Sequence, residues 1–256
     1  MAKTNEELGE LLDELRAPDG LTADERERLA ERIASFGVVA LDAILADGRP
    51  RTHAGSHLLE QSVAHIRDLR AIPRLLELLL GDPTEYRTFR LHWPARDALI
   101  GMGPPAVAAL TRLSPERVDS TVVGILGAVG GDDALKALTA IFETRPVTEA
   151  ALAAAHPLAQ ANATGPLERA LGDHDERVRR TAVDALAVVD PALAFDSLAR
   201  SLGDPSAKVR EATARALMLA DDDRAVPILE ARRNDPDRRV RAAVHSALGR
   251  LTRTRQ

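Results

Sequence analysis

Three stretches decide the fold: LGDHDERVRRTAVDALA from Leu171 to Ala187, LGDPSAKVREATARALM from Leu202 to Met218, and RNDPDRRVRAAVHSALG from Arg233 to Gly249. They start at 171, 202 and 233, so both steps are 31 residues. Asp173, Asp204 and Asp235 align, as do Val178, Val209 and Val240. Arg179, Arg210 and Arg241 follow each Val, and Ala185–Leu186, Ala216–Leu217 and Ala247–Leu248 close the units. A fixed period of this length is the signature of a stacked-repeat architecture. After each Asp, apolar residues such as Val178, Ala182, Ala185 and Leu186 recur at helical spacing. The Asp, with Pro or Asp beside it, supplies turn and N-cap chemistry. Leu193, Leu198 and Leu202 form a second stripe, which predicts a second helix per unit. Neither helix can bury its apolar face alone, whereas stacked pairs share a continuous core.

Working outward, the frame decays. Val147 lies 31 residues before Val178, Val118 lies 29 before that, and Leu91 lies 27 before Val118. Gly81–Pro83 repeats the GDP of Gly203–Pro205, and Asp47 and Ser56 take the same roles further back. Thr4 to Glu7 and Thr22 to Glu25 are capping-box patterns, each opening an amphipathic stretch. The expectation is an all-α solenoid of about seven to eight helix pairs. It is a single repeat domain over residues 1–256, clearest over 171–251 and degenerate over 22–170.

These units resemble the HEAT repeat family, in particular the short HEAT-like repeats first named for phycobilisome lyases. The resemblance is carried by the three LxDxxxxVRxxA…AL units. It is specific over Leu171 to Leu251 and weaker over Leu29 to Pro146. It implies an α-α superhelix, armadillo-like in shape, of a kind that serves mostly as a protein-binding scaffold. Some members are enzymes. The deoxyhypusine hydroxylases of this type ligate two irons with His-Glu dipeptides. This chain has none, and its aligned positions are Arg180-Thr181, Glu211-Ala212 and Ala242-Ala243. HEAT-like DNA glycosylases use a basic concave face, and bilin lyases share the fold without a motif that can be matched here.

Composition supports the helical reading. Apolar residues make up 45% of the 256, yet the rings are only four Phe, one Trp and one Tyr. Ala and Leu favour helices, while β-branched and aromatic residues favour strands. Small Ala side chains let paired helices approach closely. The absence of Cys excludes disulfides, thiolate metal sites and Cys nucleophiles, and suits a cytoplasmic protein. No apolar run is long enough to span a bilayer, so no membrane role is expected. A net charge of −5 argues against nucleic acid as partner. Only Lys3, Lys136 and Lys208 are Lys, so 31 of the 34 basic residues are Arg. A GC-rich genome would account for that bias. Residues 1–50 hold twelve acids and six bases, and residues 232–256 hold eight Arg and two Asp. Solvated end caps account for both, and a monomer is expected.

Function rests on where the repeat is interrupted. Asp173 to Val178 is a step of five, as in the later units, but Asp47 to Ser56 and Asp82 to Leu91 are steps of nine. Two upstream pairs therefore share a four-residue insertion before the second helix, with His57 and His92 where later units have Arg. The second insertion holds Tyr86, Phe89 and Trp93, half of all rings within eight residues, interleaved with Arg87, Arg90 and His92. Tyr, Trp and Arg are the residues most enriched at binding hot spots. Pro94 then fits the first turn of the following helix. The expected contact surface is a ridge of His57, Tyr86, Arg87, Phe89, Arg90, His92 and Trp93 that takes a protein partner. The competing reading is that the rings fill space under a long loop. His53, His57, Glu60 and His65, with His92 nearby, invite a metal cluster, but His65 lies near the far end of that helix, and surface or cap histidines are the commoner case. No catalytic residue, metal or cofactor is therefore assigned. A structural ladder of Asp–Arg bonds is expected from Arg179, Arg210 and Arg241.

Overall fold

A computed structural model describes residues 5–16, 18, 20–47, 52–82, 84 and 86–253, with the side chains of 47 and 86–89 outside the description. The described residues contain helices and no strand. The chain divides into two compact units, residues 1–133 and 134–256.

The first unit holds α1 (Asn5–Arg16), α2 (Ala23–Ala34), α3 (Val38–Asp47), α4 (His53–Ala64), α5 (Ile72–Leu80), α6 (Tyr86–Met102), α7 (Pro104–Leu110) and α8 (Ser120–Val129). Alternate helices stack, α2 on α4, α4 on α6 and α6 on α8. Thr22 caps α2 as the sequence requires. Its side chain accepts from the Glu25 N–H, and the Glu25 carboxylate accepts from the Thr22 N–H at 2.8 Å. Thr4, the matching cap expected for α1, lies outside the described residues.

The second unit begins within α9 (Gly131–Phe142) and continues through α10 (Glu149–Ala153), α11 (Ala155–Gln160), α12 (Thr164–Ala170), α13 (Glu176–Leu186), α14 (Pro191–Ser201), α15 (Ala207–Ala220), α16 (Ala225–Glu230) and α17 (Arg238–Arg253). Here α11 stacks on α13, α13 on α15 and α15 on α17. Val178, Val209 and Val240 are buried, each the third residue of its helix, as are Leu186, Leu217 and Leu248.

The three aligned aspartates build identical turns. Asp173, Asp204 and Asp235 each accept through Oδ1 the backbone N–H two residues on, at 2.8, 2.7 and 2.9 Å. The Arg of one unit then reaches the Asp of the next. Arg179 donates Nε and Nη2 to the two carboxylate oxygens of Asp204, at 2.8 and 3.1 Å. Arg210 does the same to Asp235, at 2.9 and 2.9 Å. Meanwhile Nη1 of each Arg donates to two carbonyls of its own turn, Asp173 and His174 or Asp204 and Pro205. Arg241 departs from the expected ladder. Its Nη1 binds the Asp235 and Pro236 carbonyls, and no described carboxylate meets its fork.

Three readings of the sequence need correction. Leu193 is 52% exposed, whereas Ala194, Phe195 and Leu198 are buried. Asp190 caps α14 and Pro191 starts it, so Leu193 sits five residues from Leu198, about 140° round the helix from the buried face. Second, Val118 and Val147 do not occupy the Val178 position. Each directly precedes an N-cap, Asp119 of α8 and Thr148 of α10, and the third helical residues are Val122 and Ala151. The step from Leu91 to Val122 is then 31, equal to the downstream repeat. Third, Pro94 is inside α6 rather than in its first turn, because the helix starts at Tyr86. The extra residues before Leu91 are wound into helix, not left as loop.

The ladder predicts unequal costs for equivalent arginines. Asp235 is 5% exposed, so Arg210→Ala strands a buried carboxylate and should cost about 3 kcal/mol, near the lower end for a broken buried pair. Arg241→Ala loses only bonds to carbonyls and should cost about 1 kcal/mol. Urea unfolding of both variants beside the wild type measures the difference. Equal midpoints for the two would remove the interunit rung as the cause.

Candidate functional site

The expected ridge lies on α4 and the first half of α6. Thr52 opens α4 by accepting the Gly55 N–H at 3.1 Å, which sets His57 and Glu60 one turn further along the same helix. Arg90 on α6 donates Nε to Glu60 Oε1 at 3.1 Å, and Nη2 bonds the same oxygen. Its Nη1 donates to Ser56 Oγ at 2.9 Å, and Ser56 is buried. Arg90 thus fastens α6 to α4. His57 is exposed, with Nδ1 4.0 Å from Glu60 Oε2.

Trp93 projects from α6 and is 62% exposed. The half-buried His92 ring meets it edge-on, with centroids 5.3 Å apart and planes at 86°. The Arg96 guanidinium lies 5.5 Å from the Trp93 ring centre, within cation–π range, and also bonds Asp97 at 3.1 Å. For Trp93 the reading that the rings fill space beneath a loop is therefore wrong: the ring faces solvent. The side chains of Tyr86, Arg87 and Phe89 lie outside the described residues.

The structure brings together His92 and Trp93 and adds Arg96, and it joins Arg90 to Ser56 and Glu60. It does not gather the histidines. Among the described residues, the group of metal-ligating side chains that converges is Glu27, Glu31 and His65, with ligand atoms within 4.8 Å of one another. His53, His57 and His92 form no such group. His65 was in view from the sequence, but its partners come from α2, not from α4. The signal was there: Gln61 donates to Glu27 across 34 residues, and Arg90 reaches Ser56 across 34. Both spans fall one short of a 31-residue repeat plus the four inserted residues.

Beside this group is a cavity of about 570 Å³ lined by Glu31, Phe36, Gly37, His65, Asp68 and Arg70, among others. Asp68 organises its floor. It accepts the Val38 N–H at 3.1 Å, so it satisfies an orphan donor at the start of α3 from 30 residues away. It also accepts the Arg70 N–H at 3.0 Å and the Arg70 guanidinium at 2.8 Å. The Arg70 side chain holds the Asp68 carboxyl down to about 2, with burial opposing and the Val38 and Arg70 amides helping. Gly37 is required beside it. Its φ is +62°, and a Cβ there would lie 2.3 Å from Asp68 Oδ2.

Residues 160–251 match the family model described as HEAT repeats. That stretch of the chain is built of HEAT repeats. The match does not distinguish the phycobilisome-lyase subtype. It covers α13 to α17 almost entirely, where the Asp–Arg rungs are regular. No curated protein matches the sequence. Among solved structures, human deoxyhypusine hydroxylase in complex with glycerol is 19% identical, with 97% of this chain and 96% of that chain covered and a TM-score of 0.43. A designed armadillo repeat protein is 20% identical, with 95% and 99% covered and a TM-score of 0.38. A second designed armadillo repeat protein, in complex with the peptide (KR)4, is 18% identical, with 96% and 99% covered and a TM-score of 0.39. No helix of the described residues is long and apolar enough to cross a membrane.

The low Asp68 pKa gives a pH dependence with a definite sign. A carboxyl whose pKa falls on folding stabilises the folded state above its unfolded value, and loses that contribution as pH drops through its folded value. For Asp68 the window runs from 3.8 to about 2. The melting temperature of Asp68→Asn should therefore fall well below wild type at pH 6. The gap should narrow through that window and nearly close at its lower end. A gap independent of pH would show that Asp68 does not act through its charge.

Proposed function

We propose that this protein is a non-catalytic HEAT-repeat scaffold that binds a protein partner through the α4–α6 ridge, as one repeat array over residues 1–256. The observation that carries this reading is the exposure of Trp93, at 62%, in a chain with a single Trp. A large ring left in water forgoes the free energy of burial, which a partner that covers it would recover. His92 and Arg96 hold the ring from its edge and its face, so its rotamer is restricted before binding. His57 and His92 stand where Arg rungs would otherwise fasten the array, which leaves these positions available for contact. Tyr86, Arg87 and Phe89 belong to the same proposal by sequence adjacency. Arg90 belongs to it as the residue that fixes α6 against α4. The absence of Cys is compatible with the cytoplasm, and the monomer remains the expected form.

The single Trp makes the proposal measurable without a label. In the isolated protein its emission should resemble that of free tryptophan. Partners captured from native lysate by the wild type should be lost with Trp93→Ala at unchanged circular dichroism. The captured partner should then shift Trp93 emission to shorter wavelength. Capture retained by Trp93→Ala would refute the ridge.

A further inference from the structure

We propose that Glu27 and Glu31 of α2 and His65 at the end of α4 form a binding site for a divalent transition metal. This site is separate from the Trp93 ridge and does not depend on it.

The argument starts with a proton. His65 is the C-cap of α4, and its Nδ1 lies 2.8 Å from the Gln61 carbonyl oxygen. A carbonyl can only accept, so Nδ1 carries a hydrogen and donates it. In neutral imidazole the other nitrogen, Nε2, then presents a lone pair. Yet Nε2 lies 3.2 Å from Glu27 Oε1, which is itself an acceptor. That separation is one that two ligands of a single ion can share.

The surroundings favour the metal. Glu27 and Glu31 are spaced i, i+4 on α2, and like charges in that register destabilise a helix unless something neutralises them. Glu31 supplies the third ligand atom within the same 4.8 Å. A divalent ion between them would offset both carboxylates at once. The ligands are also held from outside. Gln61 Nε2 donates to Glu27 Oε2 at 3.1 Å while the Gln61 carbonyl orients His65, so one residue braces both. Bracing of a ligating His by a carbonyl and of a carboxylate by a donor is typical of metal sites. One imidazole with two carboxylates suits zinc or manganese. Three protein ligands leave coordination positions open. Glu31 and His65 also line the cavity of about 570 Å³, which is where a small ligand could reach the ion.

The probes are zinc chloride and manganese chloride, titrated calorimetrically into the tag-free, chelator-treated full-length protein. One equivalent of at least one of them should bind. Glu31→Gln, an exposed substitution that leaves packing untouched, should weaken binding by about tenfold or more. Gln61→Ala keeps the carbonyl to His65 but frees Glu27, and should weaken binding by a similar factor. Manganese should broaden the His65 ring resonances selectively. Absence of one-to-one uptake of either ion by the wild type would overturn the site. So would uptake unchanged in Glu31→Gln and in His65→Ala, with fold confirmed by circular dichroism, because the ion would then lie elsewhere.

Discussion

Two helices of the second unit, α13 and α15, are each fixed by an arginine that serves two masters. The Nη1 end of Arg179 or Arg210 closes its own turn by binding two carbonyls, and the Nε–Nη2 edge holds the carboxylate of the next turn. That carboxylate has already folded its own turn by accepting the N–H two residues on. Local turn geometry and spacing between units are thus set by one side chain. Lysine could not do this, since a point charge cannot present two edges at fixed angles. The pairs are largely buried, with Arg210 and Asp235 side chains 12% and 1% exposed. Their value is therefore register more than net free energy, because desolvation offsets most of the attraction. Asp235 is held below the usual carboxylate range by Arg210 first and by the Asp237 amide, against burial.

The first unit is fastened by backward ties, a kind that the second unit also has, from Arg177 to Glu149 and from Lys208 to Glu176. In the first unit the later helix reaches back: Arg90 of α6 to Glu60 and Ser56 of α4, Gln61 of α4 to Glu27 of α2, and Arg74 of α5 to Asp42 of α3. Asp68 reaches back to the first amide of α3.

The sequence made the second unit legible because its rungs recur at a constant 31 residues, and both Asp and Arg are visible in every copy. It misled at Val118 and Val147 for a physical reason. An apolar residue just before an N-cap and one in the first turn look alike at low resolution of period, and only the capping Asp119 and Thr148 distinguish them. Pro94 misled because prolines are commonest in first turns, while α6 tolerates one inside. Trp93 was found because rings are scarce, yet its exposure could not be read from its identity. The Glu27–Glu31–His65 group went unread because it is a contact between α2 and α4, and its members share no motif.

The two candidate sites on the first unit make different demands on the same pair of helices. Ridge recognition needs α6 held firmly on α4, which Arg90 supplies through Glu60. Metal ligation needs α4 held firmly on α2, which Gln61 supplies through Glu27. Both ties start from α4, at Glu60 and Gln61, adjacent residues that point to opposite neighbours.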